Sequence, residues 1–279
     1  MASLPSDLAL PALRMLLDTH LIGRSILRYG RVGSTNDIAK RLARSGRAEG
    51  VLILGEEQSA GRGRMGRTWI AQPGQNLLCS LLLRPPLRVD QAFLPTMVAG
   101  LALCDAAEQC ADVTASLKWP NDLMVTDRAA ARPPAKAAGV LSELGIEGER
   151  LAWIVIGIGI NVNQAPTGQV DGRDLAAYAT SLSAAAGGTA IDRAGLLVAL
   201  LTTLDQHYAT LCAGDHTAIY MGWRQRLATL GRHVAVQLPN SVLHGVAEDV
   251  DTSGALLLRD DRGVVHRITS GDVQAVARG

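Results

Sequence analysis

Lysine is scarce in this sequence: 279 residues contain only Lys40, Lys118 and Lys136, against 24 arginines. Arginine was available wherever any cation would serve, so each lysine is either a chance survivor or a place that needs a compact point charge. An excess of either sign of charge is missing too. With 27 basic and 26 acidic residues the net charge is +1, which gives no whole-molecule field for nucleic acid or an anionic membrane. Any cationic function must be local. The four cysteines, Cys79, Cys104, Cys110 and Cys212, show no CxxC spacing and sit in apolar stretches, where free cysteine behaves as a small buried hydrophobe. A reducing cytoplasm is the expected setting. Met1 to Leu27 has neither a signal-peptide core nor a spanning segment, because Asp7, Asp18 and His20 interrupt it. None of the lysines precedes Ser or Thr, which excludes a GxxxxGK[ST] phosphate loop, and Gly157-Ile158-Gly159-Ile160-Asn161 is not GxGxxG.

What is present is enough apolar sequence, 48% with mean hydropathy +0.15, for one substantial core and a smaller module. Apolar spacing predicts a helix over Ser6 to Leu21 and another from Ser34 or Thr35 to about Ser45. Val51 to Glu56, Asn76 to Arg84, Ser116 to Trp119, Leu123 to Thr126, Gly139 to Leu144 and Trp153 to Ile160 read as strands. Several follow one another too closely for a parallel crossover, so the sheet should be largely antiparallel and the fold α+β. Phe93 to Ala111, Asp192 to Ala213 and a run through Trp223 to Leu230 read as helices, and Ala129 to Ala135 as a surface loop. From His233 the texture changes to short strands separated by glycine turns, a small all-β barrel. The expected division is residues 1–230 and 231–279.

The strongest local signal is Gln58-Ser59-Ala60-Gly61-Arg62-Gly63-Arg64-Met65-Gly66-Arg67, followed by Trp69. Its glycines can turn backbone N–H groups toward an anion while its arginines offer planar donors to phosphate or carboxylate, with Trp69 as a flat face for a ring. An isolated RG segment binding RNA, or a solvated loop, would read the same way. Lys118-Trp119-Pro120-Asn121-Asp122 puts a cation, an aromatic, an amide and a carboxylate into five residues that are also good turn chemistry. Ser34-Thr35-Asn36 reads first as a helix cap, Lys136 as a loop end, and Gly157 to Asn161 as close strand packing or a turn where a ligand approaches.

These five segments, with Lys136-Ala137-Ala138-Gly139-Val140-Leu141, occur in the order and spacing of biotin protein ligases, and the chain resembles that family from about Leu27 to Asn163 and again in its terminal β-module. The resemblance implies a catalytic domain related to class II aminoacyl-tRNA synthetases with a mixed, largely antiparallel sheet, plus an SH3-like barrel. It implies ATP-dependent biotinylation of one lysine on a biotin carboxyl carrier protein through biotinyl-5′-AMP, with ATP and Mg²⁺ as cofactors and the metal held mainly by phosphates. Catalytic roles then fall to Lys136, Arg62 and Asp122. Biotin falls to Ser34, Thr35, Asn36, Gln58, Gly61, Arg62, Gly63, Arg64, Lys136 and Gly139, and the adenylate to Arg64, Arg67, Trp69, Asn121, Lys136 and Asn161. A lipoate or octanoate ligase would look similar in the catalytic part, and a nucleotide- or RNA-binding module could use the same basic loop without turnover. About 30 residues precede Ser34, fewer than the winged helix of repressor members needs, so no operator DNA and no membrane are expected as partners. Monomer and homodimer stay open, and the stretch from Arg128 to Ala135 is longer than the family's usual approach to the site lysine.

We predict that the Gly61 to Arg67 loop orders further when ligand arrives, since new contacts must offset its ordering entropy. Amide hydrogen exchange across the loop should slow with biotin plus ATP. Unchanged exchange would rule out a ligand-ordered lid.

Overall fold

The computed structural model describes residues 6–127 and 133–276, so most of the loop expected at 129–135 lies outside the described residues. Seven strands form one sheet: β1 (Ser25–Val32), β2 (Val51–Gln58), β3 (Leu77–Leu83), β4 (Val113–Lys118), β5 (Asp122–Asp127), β6 (Ala135–Glu147) and β7 (Arg150–Ile160). Their spatial order is β1-β2-β3-β7-β6-β5-β4. The β1/β2 pair is parallel and every other pair antiparallel, so the sheet is mixed and the fold α+β, as the close spacing of strands requires. Strand β1 is absent from the sequence-based expectation. Its residues alternate poorly, and only Ile26 is fully buried, because the strand lies at an edge and carries Arg28 inward to Glu56 at 2.8 Å.

Period-two alternation divides the central strands between two layers. On β7, Ile154, Ile156, Ile158 and Ile160 enter the main core, together with Leu77, Cys79, Leu81 and Leu83 of β3. That face is covered by α3 (Leu94–Cys110), α5 (Arg193–Cys212) and α6 (His216–Arg226). On the opposite face Ile53, Leu82 and Val155 pack under α2 (Thr35–Arg44) through Ile38, Ala39 and Ala43. Both faces are therefore apolar near the middle of the sheet, which is why β2 reads as a continuous Val-Leu-Ile-Leu run rather than an alternating one.

Two helices are shorter than their apolar spacing predicts. The N-terminal segment forms a 3₁₀ turn (Ser6–Leu8) and α1 (Leu10–Leu16), and does not continue to Leu21. There the backbone N–H groups of His20, Leu21 and Ile22 donate instead to the Asp205 carboxylate of α5, a tertiary partner that local periodicity cannot reveal. Helix α6 stops at Arg226 because Ala228 N–H donates to Leu117 O, drawing the chain alongside β4. A small hairpin, β8 (Gln169–Val170) and β9 (Arg173–Asp174), and the short α4 (Leu182–Ala185) follow the main sheet. The C-terminal module is an antiparallel five-stranded, SH3-like sheet of β10 (His233–Gln237), β11 (Val242–Val250), β12 (Leu256–Arg259), β13 (Val265–Ile268) and β14 (Asp272–Ala275), in the order β13-β12-β11-β10-β14. No described helix is long and apolar enough to cross a membrane.

A buried ion network ties these layers together. Arg193, 2% exposed, donates to Glu56 at 2.9 Å, to the Asn76 carbonyl at 3.0 Å and through two nitrogens to Asp7 at 2.8 Å. Removing Arg193 takes one of two cations from the buried Glu56 and leaves the Asn76 carbonyl without that donor. Arg193→Met is therefore expected to cost about 3–5 kcal/mol of stability, and urea unfolding measures it. A loss under about 1 kcal/mol would show that the network is dispensable for the fold.

Candidate active site

The face of the sheet under α2 becomes bare where the chemistry-bearing segments meet. Continuing the Val155 face along β7 brings up Gly157 and Gly159, and the register aligns Leu78, Gly159, Gly139, Asp122 and Lys118 in one row across β3, β7, β6, β5 and β4. Ser80, Gly157 and Leu141 form the adjacent row. Side chains at these glycines would fill the space: a Cβ on Gly157 would overlap the Asn36 amide, and one on Gly159 would overlap the Trp69 indole. The Gly-Ile-Gly-Ile-Asn stretch is thus close packing and open floor at once. Over it lies a cavity of about 520 Å³.

One end of the cavity is neutral and polar. Ser34 occupies the N-cap of α2, but its side chain makes no capping hydrogen bond, so the cap reading does not account for it. Gln58 Oε1 accepts from Thr35 N–H at 2.8 Å and lies 3.1 Å from Thr35 Oγ1. The buried Ser80 hydroxyl stands 2.7 Å from Thr35 Oγ1 and 2.5 Å from Asn36 Oδ1, and Asn36 Nδ2 donates to Glu143 at 2.8 Å. The amides and hydroxyls are therefore held in fixed orientations before any ligand arrives.

The other end is cationic, and β-sheet irregularity puts it there. Strands β5 and β6 pair Leu123 with Ala138 but Met124 with Lys136, leaving Ala137 as an extra residue. That bulge lets Lys136 share the cavity face with Gly139, which strict alternation would forbid. Lys136 Nζ lies 2.7 Å from Asp122 Oδ1 and 5.5 Å from the Trp69 ring centroid. Asp122 is thereby an orienter of the lysine, with one oxygen already engaged. Asn121 Nδ2 donates to Val140 O at 2.6 Å while its Oδ1 accepts from Arg64 at 3.3 Å. Asn161 Nδ2 donates to Thr180 O at 3.0 Å, whereas Asn161 Oδ1 and Trp69 Nε1 are buried without a partner. Two orphaned polar atoms in one cavity mark where a ligand supplies hydrogen bonds.

The arginine loop folds back on itself. Gly63 N–H donates to Arg67 O at 2.7 Å and Trp69 N–H to Gly61 O at 3.0 Å, with left-handed Met65 and Gly66 at the tip. A side chain at Gly61 would overlap the Trp69 carbonyl, so glycine is required there. The three arginines do not converge on one point. Arg62 is clamped by Asp37 at 2.5 and 3.0 Å, which, with Lys40, holds the Asp37 carboxyl down at about 2. Arg67 reaches Asp272 of β14 at 2.8 Å, where Arg173 also binds at 3.0 Å. Burial opposes the charge of Asp272, but those two guanidiniums outweigh it and hold its carboxyl below the usual range. Arg64 bonds only neutral oxygens, Asn121 Oδ1 and Ser270 Oγ, both at 3.3 Å. Burial pushes its guanidinium down.

The structure thus brings the expected site residues around one cavity, except Gly61, which is buried under the loop beside it, and Arg62 faces carboxylates and not an open anion seat. Trp119 does not offer a flat face to a ligand. It is 1% exposed and its indole donates to Gly254 O at 2.8 Å, which pins the SH3-like module behind the site. Sequence reasoning missed Asp37, Ser80, Glu143, Arg173, Tyr178 and Asp272. The last lies more than 100 residues beyond the catalytic segments, in a Ser-Gly-Asp turn that looks like any other. Ser80 had a weaker signal, a lone hydroxyl inside a leucine strand.

The sequence was compared with known proteins. Residues 29–161 match the Biotin/lipoate A/B protein ligase family and residues 229–275 the Biotin protein ligase C terminal domain. The chain is 33% identical over 270 residues to the Bifunctional ligase/repressor BirA of Bacillus subtilis, covering 97% of this chain and 80% of that protein. It is 32% identical over 249 residues to the Biotin–[acetyl-CoA-carboxylase] ligase of Mycobacterium tuberculosis, covering 87% and 86%. Among solved structures, the Biotin protein ligase from Aquifex aeolicus in complex with biotin and ATP superposes with a TM-score of 0.74 at 26% identity, over 91% of this chain and all of that one.

Gly157→Ala tests the floor. A methyl there must displace the Asn36 amide, and overpacking of that kind costs about 1–3 kcal/mol, so the KM for the ligand bound at the polar end should rise on the order of 10-fold with the KM for ATP little changed. Equal KM values in wild type and variant would mean that Asn36 does not contact that ligand.

Proposed function

The chain belongs to the biotin protein ligase family, and we propose that it activates biotin with ATP to biotinyl-5′-adenylate and passes the acyl group to one lysine of a biotin carboxyl carrier protein. The observation that carries this reading is the polarity gradient of the cavity. A neutral, hydrogen-bonding end (Ser34, Thr35, Asn36, Gln58) runs over a glycine floor into a cationic end (Arg64, Arg67, Lys136). Biotin has that shape and polarity: a neutral ureido ring at one end and a carboxylate at the other.

Two anions must meet for the first step, because the carboxylate attacks the α-phosphorus of ATP. Lys136 screens that encounter as a compact charge, and Asp122 keeps it aimed at the floor. Arg64 and Arg67 face the adenylate phosphate, while Trp69 and Asn161 supply a ring face and two unsatisfied polar atoms for the nucleotide. Arg62, Gly61 and Gly63 hold the loop over the polar end, and Gly139 leaves room for the acyl chain. Asn121 braces Arg64. In the second step the carrier amine, ordinarily protonated with a pKa of about 10.4, must lose a proton before it attacks, and Asp122 is the carboxylate nearest the site lysine. The Mg²⁺ that accompanies ATP would be held mainly by the phosphates, where it would neutralise charge on the transferring group.

A lipoate ligase fits less well, because a dithiolane ring has no amide N–H or carbonyl to match the polar end around Ser34, Thr35, Asn36 and Gln58. An RNA-binding module fits poorly as well, since Arg62 and Arg67 are already paired with Asp37 and Asp272.

Lys136→Ala is expected to leave the fold intact and to slow biotin-dependent ATP–pyrophosphate exchange by about 10²-fold or more, as loss of one preorganised charge does elsewhere. Lys136→Arg should rescue poorly, because a planar fork cannot occupy the seat of an ammonium. Exchange near the wild-type rate in Lys136→Ala would remove Lys136 from the chemistry.

A further inference from the structure

Six cations line the cavity, and four have a carboxylate within ion-pair distance: Arg62 with Asp37, Arg67 and Arg173 with Asp272, Lys136 with Asp122. Arg64 holds two neutral oxygens. Lys118 is different, because among the described residues its ammonium has neither an ion pair nor a hydrogen bond. It is not a solvated surface lysine. Its side chain is half-buried against the cavity, and burial pushes its pKa down, with Asp122 and Asp272 acting weakly in the opposite sense. An uncompensated charge taken out of water is costly, and a cavity that keeps one is completed by an anion from outside.

The sheet register says which anion. Lys118 closes β4 and pairs with Asp122, which pairs with Gly139, so one row runs from the glycine floor through the Asp122 carboxylate to Lys118 at the edge strand. The polar end of the cavity lies on the other side of that floor, at α2, β2 and β3. A carboxylate arriving from the polar end meets the α-phosphorus near Lys136, and the leaving group departs in line on the far side. Lys118 stands on that far side.

We propose that Lys118 binds the β- and γ-phosphates of ATP and the pyrophosphate they become. The inference rests on the adenylating reading given above. As the biotin carboxylate oxygen bonds to the α-phosphorus, the bond from that phosphorus to the bridging oxygen of the β-phosphate breaks, and pyrophosphate leaves with the electron pair. Lys118 stabilises the charge that accumulates on it. Lys136, two strands inward, serves the carboxylate and the adenylate, so the two lysines divide the substrate between acyl phosphate and leaving group. This gives each a use for a point charge in a chain that otherwise prefers arginine.

The test compares wild type with Lys118→Met and Lys118→Arg in three measurements. Titration calorimetry with inorganic pyrophosphate alone, without biotin, should show binding weakened about 10-fold or more in Lys118→Met and largely kept in Lys118→Arg, as expected for loss of one charge contact to a phosphate. In the reverse half-reaction, supplied biotinyl-5′-adenylate plus pyrophosphate, the KM for pyrophosphate should rise by a similar factor. Transfer from supplied biotinyl-5′-adenylate to the carrier should stay within about 2-fold of wild type, because no pyrophosphate is present in that step. Unchanged pyrophosphate binding in Lys118→Met overturns the proposal. So does a transfer step that falls as far as adenylation, which would make Lys118 an adenylate contact or a structural residue. If wild type shows no biotin-dependent exchange at all, the ligase reading fails, and pyrophosphate binding by itself still decides whether Lys118 is an anion site.

Discussion

The 2.7 Å contact between Lys136 Nζ and Asp122 Oδ1 is the point on which the rest of the site is built. A lysine over a glycine floor, beside an indole and within a cavity, needs a partner to be held in place. Asp122 is available because β5 lies next to β6, and Lys136 reaches it because the bulge at Ala137 turns the lysine onto the cavity face. Trp69 lies at van der Waals range from both Gly139 and the Lys136 side chain, so the loop that carries it is positioned by the same pair. Change the register of β5 on β6 by one residue and the lysine points into the core.

The same logic is repeated at each loop cation. Asp37 and Asp272 hold Arg62 and Arg67 in fixed directions, and each is contributed by a different part of the chain. The consequence is a loop held from three sides: α2, the β4/β5 turn and the SH3-like module. Through Asp272 and the Ser270 hydroxyl the C-terminal module contributes to the cavity wall, and through Gly254 it receives the indole of Trp119. The module is thus coupled to the site by polar contacts at its β13/β14 and β11/β12 turns and does not merely follow the catalytic part in sequence.

Glycine decides the shape of the cavity as charge decides its chemistry. Gly139, Gly157 and Gly159 lie on one face, and Ile156, Ile158 and Ile160, which alternate with the last two, pack on the other, so a single strand is at once core and floor. Stability is drawn from the isoleucine face and from the Arg193 network, which leaves the glycine face free of packing duties.

By itself the sequence determined the α+β class, the positions of most central strands, the SH3-like terminal module and the segments that meet in the site. Those features depend on local periodicity and on motifs whose residues are contiguous, so one dimension is enough to read them. Strand β1 was not legible, because an edge strand that carries an inward arginine shows little alternation. Nor were the ends of α1 and α6, which are set by Asp205 and by the Leu117 carbonyl. Only the tertiary structure decided the roles within the site: that Trp119 is a buried peg and Trp69 the exposed-edge ring of the cavity, and that Arg62 answers to Asp37. It also decided that Asp272 belongs to the site at all, and that of three lysines one is clamped at the surface of α2, one is paired over the floor and one has no hydrogen bond or ion pair among the described residues. Partners across more than 100 residues of chain are fixed by strand register and a single bulge, and neither leaves a signature in the residues themselves.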